Sequence, residues 1–226
     1  APDTISRPLS WSATVATTNL WRGVNFGESP SLITTLSYAP SRWSLGLTST
    51  YNLSGQRAGF GNTLTTQIGY QLTDNIQLGI NDYFFFSPLD DDNNFWRWLG
   101  DEGQHFIEAS VTVQQQAFQF MAAYNFYGAN LYSSENTAVY LEARYQWKGL
   151  ALFAAYLTDG SALHFMDEGG FTNLGAEYIH VWSLPKVDLL LGAQLVYNNE
   201  SDRITPLEGV GDQAFTPLLF FSISPN

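Results

Sequence analysis

Apolar and polar side chains alternate with a period of two residues along almost the whole chain. In residues 139–147, for example, every odd position is apolar, while the even positions carry Tyr, Glu, Arg and Gln. Because successive side chains of a β-strand point to opposite faces, this period predicts strands. About twelve such segments occur. They lie near residues 10–21, 31–39, 43–52, 62–72, 75–86, 105–114, 117–128, 137–147, 150–158, 171–182, 187–198 and 215–224.

The connections between these segments are alternately short and long. Short turns lie at 39–42, 73–75, 114–116, 148–149 and 183–186, and long loops near 22–30, 53–61, 87–104, 129–136, 159–170 and 199–214. Strands of about ten residues, tilted by about 40°, span an apolar band of about 25 Å. We therefore predict an all-β, membrane-spanning, up-and-down antiparallel β-barrel of about twelve strands, with residues 1–226 as its single domain. A soluble lipocalin-like barrel or sandwich is the alternative.

Composition favours the membrane barrel. Charged residues make up 13% and aromatic residues 15% of the chain, which suits a lipid-facing wall with interfacial rings. We predict that the aromatic belts contain Trp11, Trp21, Trp43, Tyr51, Tyr70, Tyr145, Trp147, Tyr178, Trp182 and Tyr197. The net charge of −12 argues against nucleic acid as a partner. Since the chain starts at Ala1 without a leader, we expect an exported bacterial outer-membrane protein whose signal peptide has been removed.

Four short stretches resemble a known family. They are Thr18–Val24, Asn81–Phe86, Ala122–Tyr127 and Tyr140–Ala143. In this order they are similar to the TorF-type porin family and related outer-membrane proteins of Bacteroidetes. The resemblance implies an outer-membrane barrel with a transport role, and it supplies no catalytic residues.

Strand parity predicts which polar residues face the lumen. They are Gln67, Gln71, Gln77, Asn81, Glu108, Glu142, Arg144, Glu177, Asp188 and Gln194. Acidic groups outnumber Arg144 in this set, which favours cations or polar neutral solutes. The function predicted first is passive passage of small polar or cationic solutes. Two alternatives stay open: a lumen plugged by a Glu–Arg network, and a non-conducting structural subunit of an outer-membrane protein complex.

The loop from Ser87 to Gln104 carries two further candidates. Asp90, Asp92 and Asn94 offer oxygen ligands at alternate positions for Ca²⁺, although Phe95 stands where an EF-hand needs glycine. Phe95, Trp96 and Trp98 form an aromatic cluster that could contact a partner or pack within its own loop.

Enzyme chemistry finds little support. The histidines are His105, His164 and His180. Asp82 and His105 lie near the outer ends of adjacent strands and could form an acid–base pair, but parity points both toward lipid. No Gly-x-Ser-x-Gly element occurs. We therefore expect no enzyme and no cofactor. The expected partners are the lipid bilayer with lipopolysaccharide, other outer-membrane proteins and small polar solutes.

Overall fold

The structure, a computed structural model, describes residues 8–26, 29–53, 62–86, 94–96, 98, 105–128, 138–164, 166, 168–197 and 215–225. Twelve of its strands close a barrel, and two form a separate hairpin, β2 (Leu20–Trp21) with β3 (Val24–Asn25). The barrel strands are β1 (Leu9–Ala16), β4 (Ser31–Tyr38), β5 (Trp43–Asn52), β6 (Asn62–Thr73), β7 (Ile76–Phe86), β8 (His105–Gln115), β9 (Phe118–Tyr127), β10 (Val139–Trp147), β11 (Leu150–Leu157), β12 (Gly170–Ser183), β13 (Val187–Tyr197) and β14 (Phe215–Pro225).

The barrel is antiparallel throughout and has up-and-down topology. Each barrel strand pairs with its neighbour along the chain, and β1 also pairs with β14 to close the ring. The connections that join β4 to β5, β6 to β7, β8 to β9, β10 to β11 and β12 to β13 are two to four residues long. They lie together at one end of the barrel, the short-turn rim. The strand ends that are joined by the longer connections form the opposite end, the long-loop rim. The predicted fold class is confirmed.

The outer wall is apolar over most of its surface. Outward-facing residues such as Leu45, Ile80, Phe120, Leu152 and Leu195 each leave about half of their surface exposed. Large apolar side chains repeated around a whole barrel are what hydrocarbon, and not water, accommodates. Among the described residues, no helix is long and apolar enough to cross a membrane.

The first predicted segment, 10–21, is wrong at its end. Strand β1 stops at Ala16, and Leu20–Trp21 belongs instead to the hairpin with Val24–Asn25. The turn of that hairpin has positive φ at Arg22 (50°) and Gly23 (84°), which reverses the chain within two residues. Trp21 therefore lies inside the barrel and is no part of an aromatic belt. A period of two cannot separate these cases, because an apolar side chain suits a packed lumen as well as lipid.

Candidate functional site in the barrel lumen

The hairpin Leu20–Asn25, here called the inner hairpin, folds into the lumen near the long-loop rim. Its Trp21 ring packs edge-on against Tyr83 of β7, with centroids 5.2 Å apart. Phe26, which follows the hairpin, packs against Phe85 at 5.8 Å. Val24 is fully buried in the same cluster. The apolar side chains of the hairpin are thus buried by packing against the inner face of the opposite wall.

A second segment between β11 and β12 also folds inward. It contains a single turn of 3₁₀ helix, Ala162–His164, and its Leu163 joins the cluster around Val24. The His164 ring stacks between Trp21 and Tyr140, with centroids 5.3 and 5.2 Å away. Burial lowers the pKa of His164, and the nearby Arg22 guanidinium lowers it further. His164 is therefore neutral, and it acts as an aromatic spacer between the hairpin and the wall.

An ion pair ties the inner hairpin to the wall. The Arg22 guanidinium forms a bidentate ion pair with Glu108 of β8: Nη2 donates to Oε1 at 2.9 Å, and Nη1 donates to Oε2. Asn81 and Tyr83 of β7 each donate a further hydrogen bond to Glu108 Oε1, both at 3.2 Å. Glu108 is 1% exposed, and its four donors satisfy a carboxylate that would otherwise be costly to bury.

Aromatic rings complete the surroundings of Arg22. Its Cζ lies 4.7 Å from the ring centroid of Trp21 and 4.4 Å from that of Tyr140. A guanidinium over a ring face gains about 0.5–2 kcal/mol, more where water is excluded. The side chain of Arg22 is 10% exposed. Arg22 thus anchors the hairpin to the wall through one bidentate pair with Glu108 and one ring contact with Tyr140, while Trp21 covers it from within the hairpin.

Glycine at the tip of the hairpin permits this close approach. A Cβ on Gly23 would lie 1.6 Å from the carbonyl oxygen of Thr172. Thr172 is the extra residue of a register shift between β11 and β12, opposite Ala155 and Tyr156. The backbone of the tip therefore touches the backbone of the bulged wall, which no side chain at position 23 would allow.

A cavity of about 380 Å³ lies in the lumen beneath the inner hairpin, that is, on the side of the short-turn rim. The roof comes from the hairpin and the aromatic residues around it. The wall comes from β5, β6, β7 and β8, and its lumen-facing residues are Thr48, Thr50, Thr63, Thr65, Gln67, Gln77, Gly79, Asn81, Ser110 and Thr112. The arrangement can hold a small polar molecule or a column of water, with the hairpin restricting the long-loop side.

The predicted lumen residues divide into three groups. Gln67, Gln77 and Asn81 line the cavity, and Glu108 lies behind its lining, bound to Arg22 and Asn81. Arg144 and Glu177 form a second ion pair, while Glu142 accepts hydrogen bonds from Tyr140 and Asn173. Toward the short-turn rim, Gln71 donates to the Thr73 carbonyl oxygen at 2.6 Å, and Asp188 pairs in register with Ser183. Gln194 pairs in register with Glu177, near the middle of β12.

Sequence reasoning missed the hairpin residues that pack inside the lumen. Arg22 fell within the predicted loop 22–30, and Trp21 was assigned to a belt. The Trp-Arg-Gly tripeptide was the one available signal, since glycine after a large side chain marks a tight turn. Nothing local in the sequence relates that tripeptide to Glu108, which lies 86 residues away.

The outer face of the same wall buries another polar pair. His105 Nδ1 lies 3.0 Å from Asp82 Oδ1, and His105 Nε2 donates to the Phe95 carbonyl oxygen at 2.7 Å. The Trp98 ring stacks on His105 at 3.8 Å. Both ring nitrogens of His105 are thus engaged within the protein, and the ring is fully buried. Protein groups thus enclose the His105 ring on the outer face of β7 and β8.

The aromatic loop cluster is divided by its contacts. Phe95 packs edge-on against Phe84 at 5.2 Å, and Tyr127 donates a hydrogen bond to the Trp98 carbonyl oxygen. Trp96, in contrast, is 79% exposed. Of the predicted Ca²⁺ ligands, Asp90 and Asp92 lie outside the described residues, and Asn94 Oδ1 accepts a hydrogen bond from the Trp96 backbone N–H at 3.0 Å. Within the described ranges, no three acidic or histidine residues are grouped as metal ligands.

Comparison with known proteins gives distant structural likenesses. No family model matches the chain, and no curated protein does. Two crystal structures, of an OccD1 (OprD) variant and of Pseudomonas aeruginosa OprD, are each 17% identical to this chain, with TM-scores of 0.31 and 0.30. Each comparison covers 97% of this chain, which spans 65% and 66% of the length of those two proteins. The fold rests on the strand pairing described above, and these likenesses add no assignment of solute.

Proposed function

We propose that this protein is a narrow channel of the bacterial outer membrane that passes small polar solutes, with the inner hairpin as its constriction. One observation carries the proposal: a cavity with a wall of hydroxyl and amide groups lies in the lumen next to a hairpin that is attached to the barrel wall by side-chain contacts. A polar lumen alone does not separate a channel from a closed barrel, because membrane barrels of both kinds have polar interiors; the open volume within the lumen is what favours passage.

The charge distribution of the lumen favours uncharged solutes over ions. Glu108 is neutralised by Arg22, and Glu177 by Arg144. Among the described residues, Glu142 and Asp188 are lumen carboxyl groups without a basic partner, so a weak preference for cations over anions remains. The sequence predicted small polar or cationic solutes. Because Arg22 adds a second positive charge to the lumen, we favour the polar, uncharged ones.

Electrical recording in planar bilayers tests the constriction. We expect the wild-type barrel to conduct weakly and Arg22→Ala to conduct several-fold more, because the hairpin loses its bidentate anchor. Gly23→Val should act in the same direction, since its side chain would collide with the Thr172 backbone and displace the tip. Arg144→Ala is the matched control: it removes a lumen arginine and its ion pair without touching the hairpin, and it should leave the conductance near the wild-type level.

A second function is favoured by the same packing. A hairpin held by an ion pair, a cation–ring contact with Tyr140 and a buried apolar cluster could close the lumen permanently. The protein would then be a non-conducting structural subunit, with exposed Trp96 available to a neighbouring envelope protein. Wild type, Arg22→Ala and Gly23→Val that fold and insert but all stay electrically silent would favour this function and overturn the channel.

Cellular location and family belong to the same proposal. The apolar outer wall and the alternating connections support insertion into an outer membrane, with the lipid bilayer and lipopolysaccharide around the wall. Membership of the TorF-type porin family stays a proposal based on the four resembling stretches.

A further inference from the structure

We propose that the cavity beneath the inner hairpin is a binding site for a neutral, polyhydroxylated solute of the size of a mono- or disaccharide. The inference deepens the proposed function by naming the solute class, and it rests on that function only for the route by which the solute arrives. Binding itself is measurable whether or not the barrel conducts.

The wall of the cavity is a continuous surface of hydroxyl and amide groups. Across the β5–β6 pair, Thr48 stands opposite Thr65 and Thr50 opposite Thr63. Across the β7–β8 pair, Gln77 stands opposite Thr112. Adjacent hydroxyls and amides, each able to donate and accept, match the vicinal hydroxyls of a sugar better than they match a single ionic group.

Most of these groups have no protein partner. Among the described residues, the side chains that form no hydrogen bond to another protein group include Thr65, Gln67, Gln77, Ser110 and Thr112. Gly79 adds to their access, because a Cβ there would lie 2.7 Å from Ser110 Oγ and would cover that hydroxyl. Their hydrogen-bonding capacity is therefore available to a solute or to the water that the solute displaces.

The roof of the cavity is apolar and aromatic. Leu20, Trp21 and Phe26 contribute from the hairpin side, and Ile33 and Phe85 from the barrel wall. A pyranose ring presents a rim of hydroxyls and a face of C–H groups. A cavity with one hydrogen-bonding side and one apolar side matches such an amphipathic solute, and its volume of about 380 Å³ lies within the range of small-molecule sites.

Charge excludes the other candidate solutes. Among the residues that line the cavity, Arg22 is the charged one, and both of its terminal nitrogens bind Glu108. An anion or a cation entering the cavity would lose hydration without gaining a counter-charge. A neutral polyhydroxylated molecule exchanges hydrogen bonds with water for hydrogen bonds with the wall, at little electrostatic cost.

Isothermal calorimetry on the full-length protein in detergent micelles tests the inference. The probes are glucose and maltose, with lysine hydrochloride and sodium succinate as charged comparators. We expect saturable heat with at least one sugar and none with the charged probes. The double variant Thr65→Val and Gln67→Leu should weaken sugar binding about tenfold, because it removes wall hydrogen bonds. Thr66→Val, on the outer face of the same strand, is the matched control and should bind like wild type.

The outcomes separate this inference from the channel. Sugar binding by a barrel that stays electrically silent would support the site and overturn the channel. A conducting barrel that binds neither sugar, or that binds lysine or succinate equally well, would overturn the site and leave the channel standing. Unchanged sugar affinity in the folded double variant, checked by its heat-modifiable mobility on gels, would also overturn the site.

Discussion

Strands β7 and β8 bury a polar pair on each of their two faces, and each pair is covered by an aromatic segment from a connection. On the lumen face, Glu108 of β8 meets Arg22, covered by the inner hairpin. On the outer face, Asp82 of β7 meets His105 of β8, covered by Phe95 and Trp98. The two sites lie back to back, since Asn81 pairs in register with Glu108 and Asp82 with Ile107.

The two pairs differ in the surroundings that they border, which are polar in the lumen and apolar on the outer face. The lumen pair borders a polar cavity, so water and neighbouring donors can replace a lost partner. The outer pair borders an apolar wall, where no water can satisfy an exposed carboxylate. We infer that the lumen pair controls the bore of the barrel and that the outer pair mainly contributes to its stability.

His105→Ala should have the largest effect on stability. It leaves Asp82 buried beneath Phe95 and Trp98 without its partner, and breaking a buried pair in this way costs about 3–5 kcal/mol. Urea unfolding in lipid vesicles, followed by tryptophan fluorescence, measures the loss. Adding Asp82→Asn to His105→Ala should recover part of it. A loss below about 1 kcal/mol would show that the outer pair is not the stabilising one.

Arg22→Gln should cost less, about 2 kcal/mol in the same urea assay. Glu108 keeps the hydrogen bonds from Asn81 and Tyr83, and cavity water can reach the position that the guanidinium leaves. If Arg22→Gln destabilises the protein more than His105→Ala does, the inferred difference between a pair that water can reach and a pair that it cannot reach is wrong.

His164 adds a pH dependence to the lumen side. Because burial and Arg22 lower its pKa in the folded state, the unfolded chain takes up the proton first as pH falls. Its contribution to stability is therefore complete above about pH 6.5 and decreases as the pH falls below that value.

His164→Phe keeps the ring between Trp21 and Tyr140 but removes the titration. The variant should lose the hydrogen bond to Ser161 at every pH, and it should show a flatter pH dependence than wild type in urea unfolding. Parallel pH profiles for the two proteins would contradict the assignment of this titration to His164.

Trp96→Ala should have the smallest effect, within about 0.5 kcal/mol on unfolding, because its side chain is 79% exposed while its neighbours Phe95 and Trp98 form the cover. Trp98→Ala, which removes the ring stacked on His105, is the comparison variant and should destabilise clearly more. Equal effects of the two substitutions would mean that the cover over His105 does not depend on that stack.

Much of the architecture was predictable from residue order alone. Eleven of the twelve predicted strands lie within a few residues of barrel strands, because alternation and turn length are local properties that burial on one face imposes. Parity also assigned Gln77, Asn81 and Glu108 to one face of β7 and β8. The error at residues 10–21 arose where the local pattern serves two environments, since Trp21 suits lipid and a packed lumen equally.

The amino-acid sequence by itself thus determined an antiparallel barrel with an apolar outside, because side-chain period and connection length act over a few residues. Tertiary packing decided which segments fill the lumen and which residues they contact there. Arg22 meets Glu108 across the lumen, and Gly23 meets Thr172 at a bulge far along the chain. Neither contact can be predicted from neighbouring residues. Each depends on the diameter of the closed barrel and on whether the connection after β1 folds into the lumen or away from it, and the length of that connection allows both.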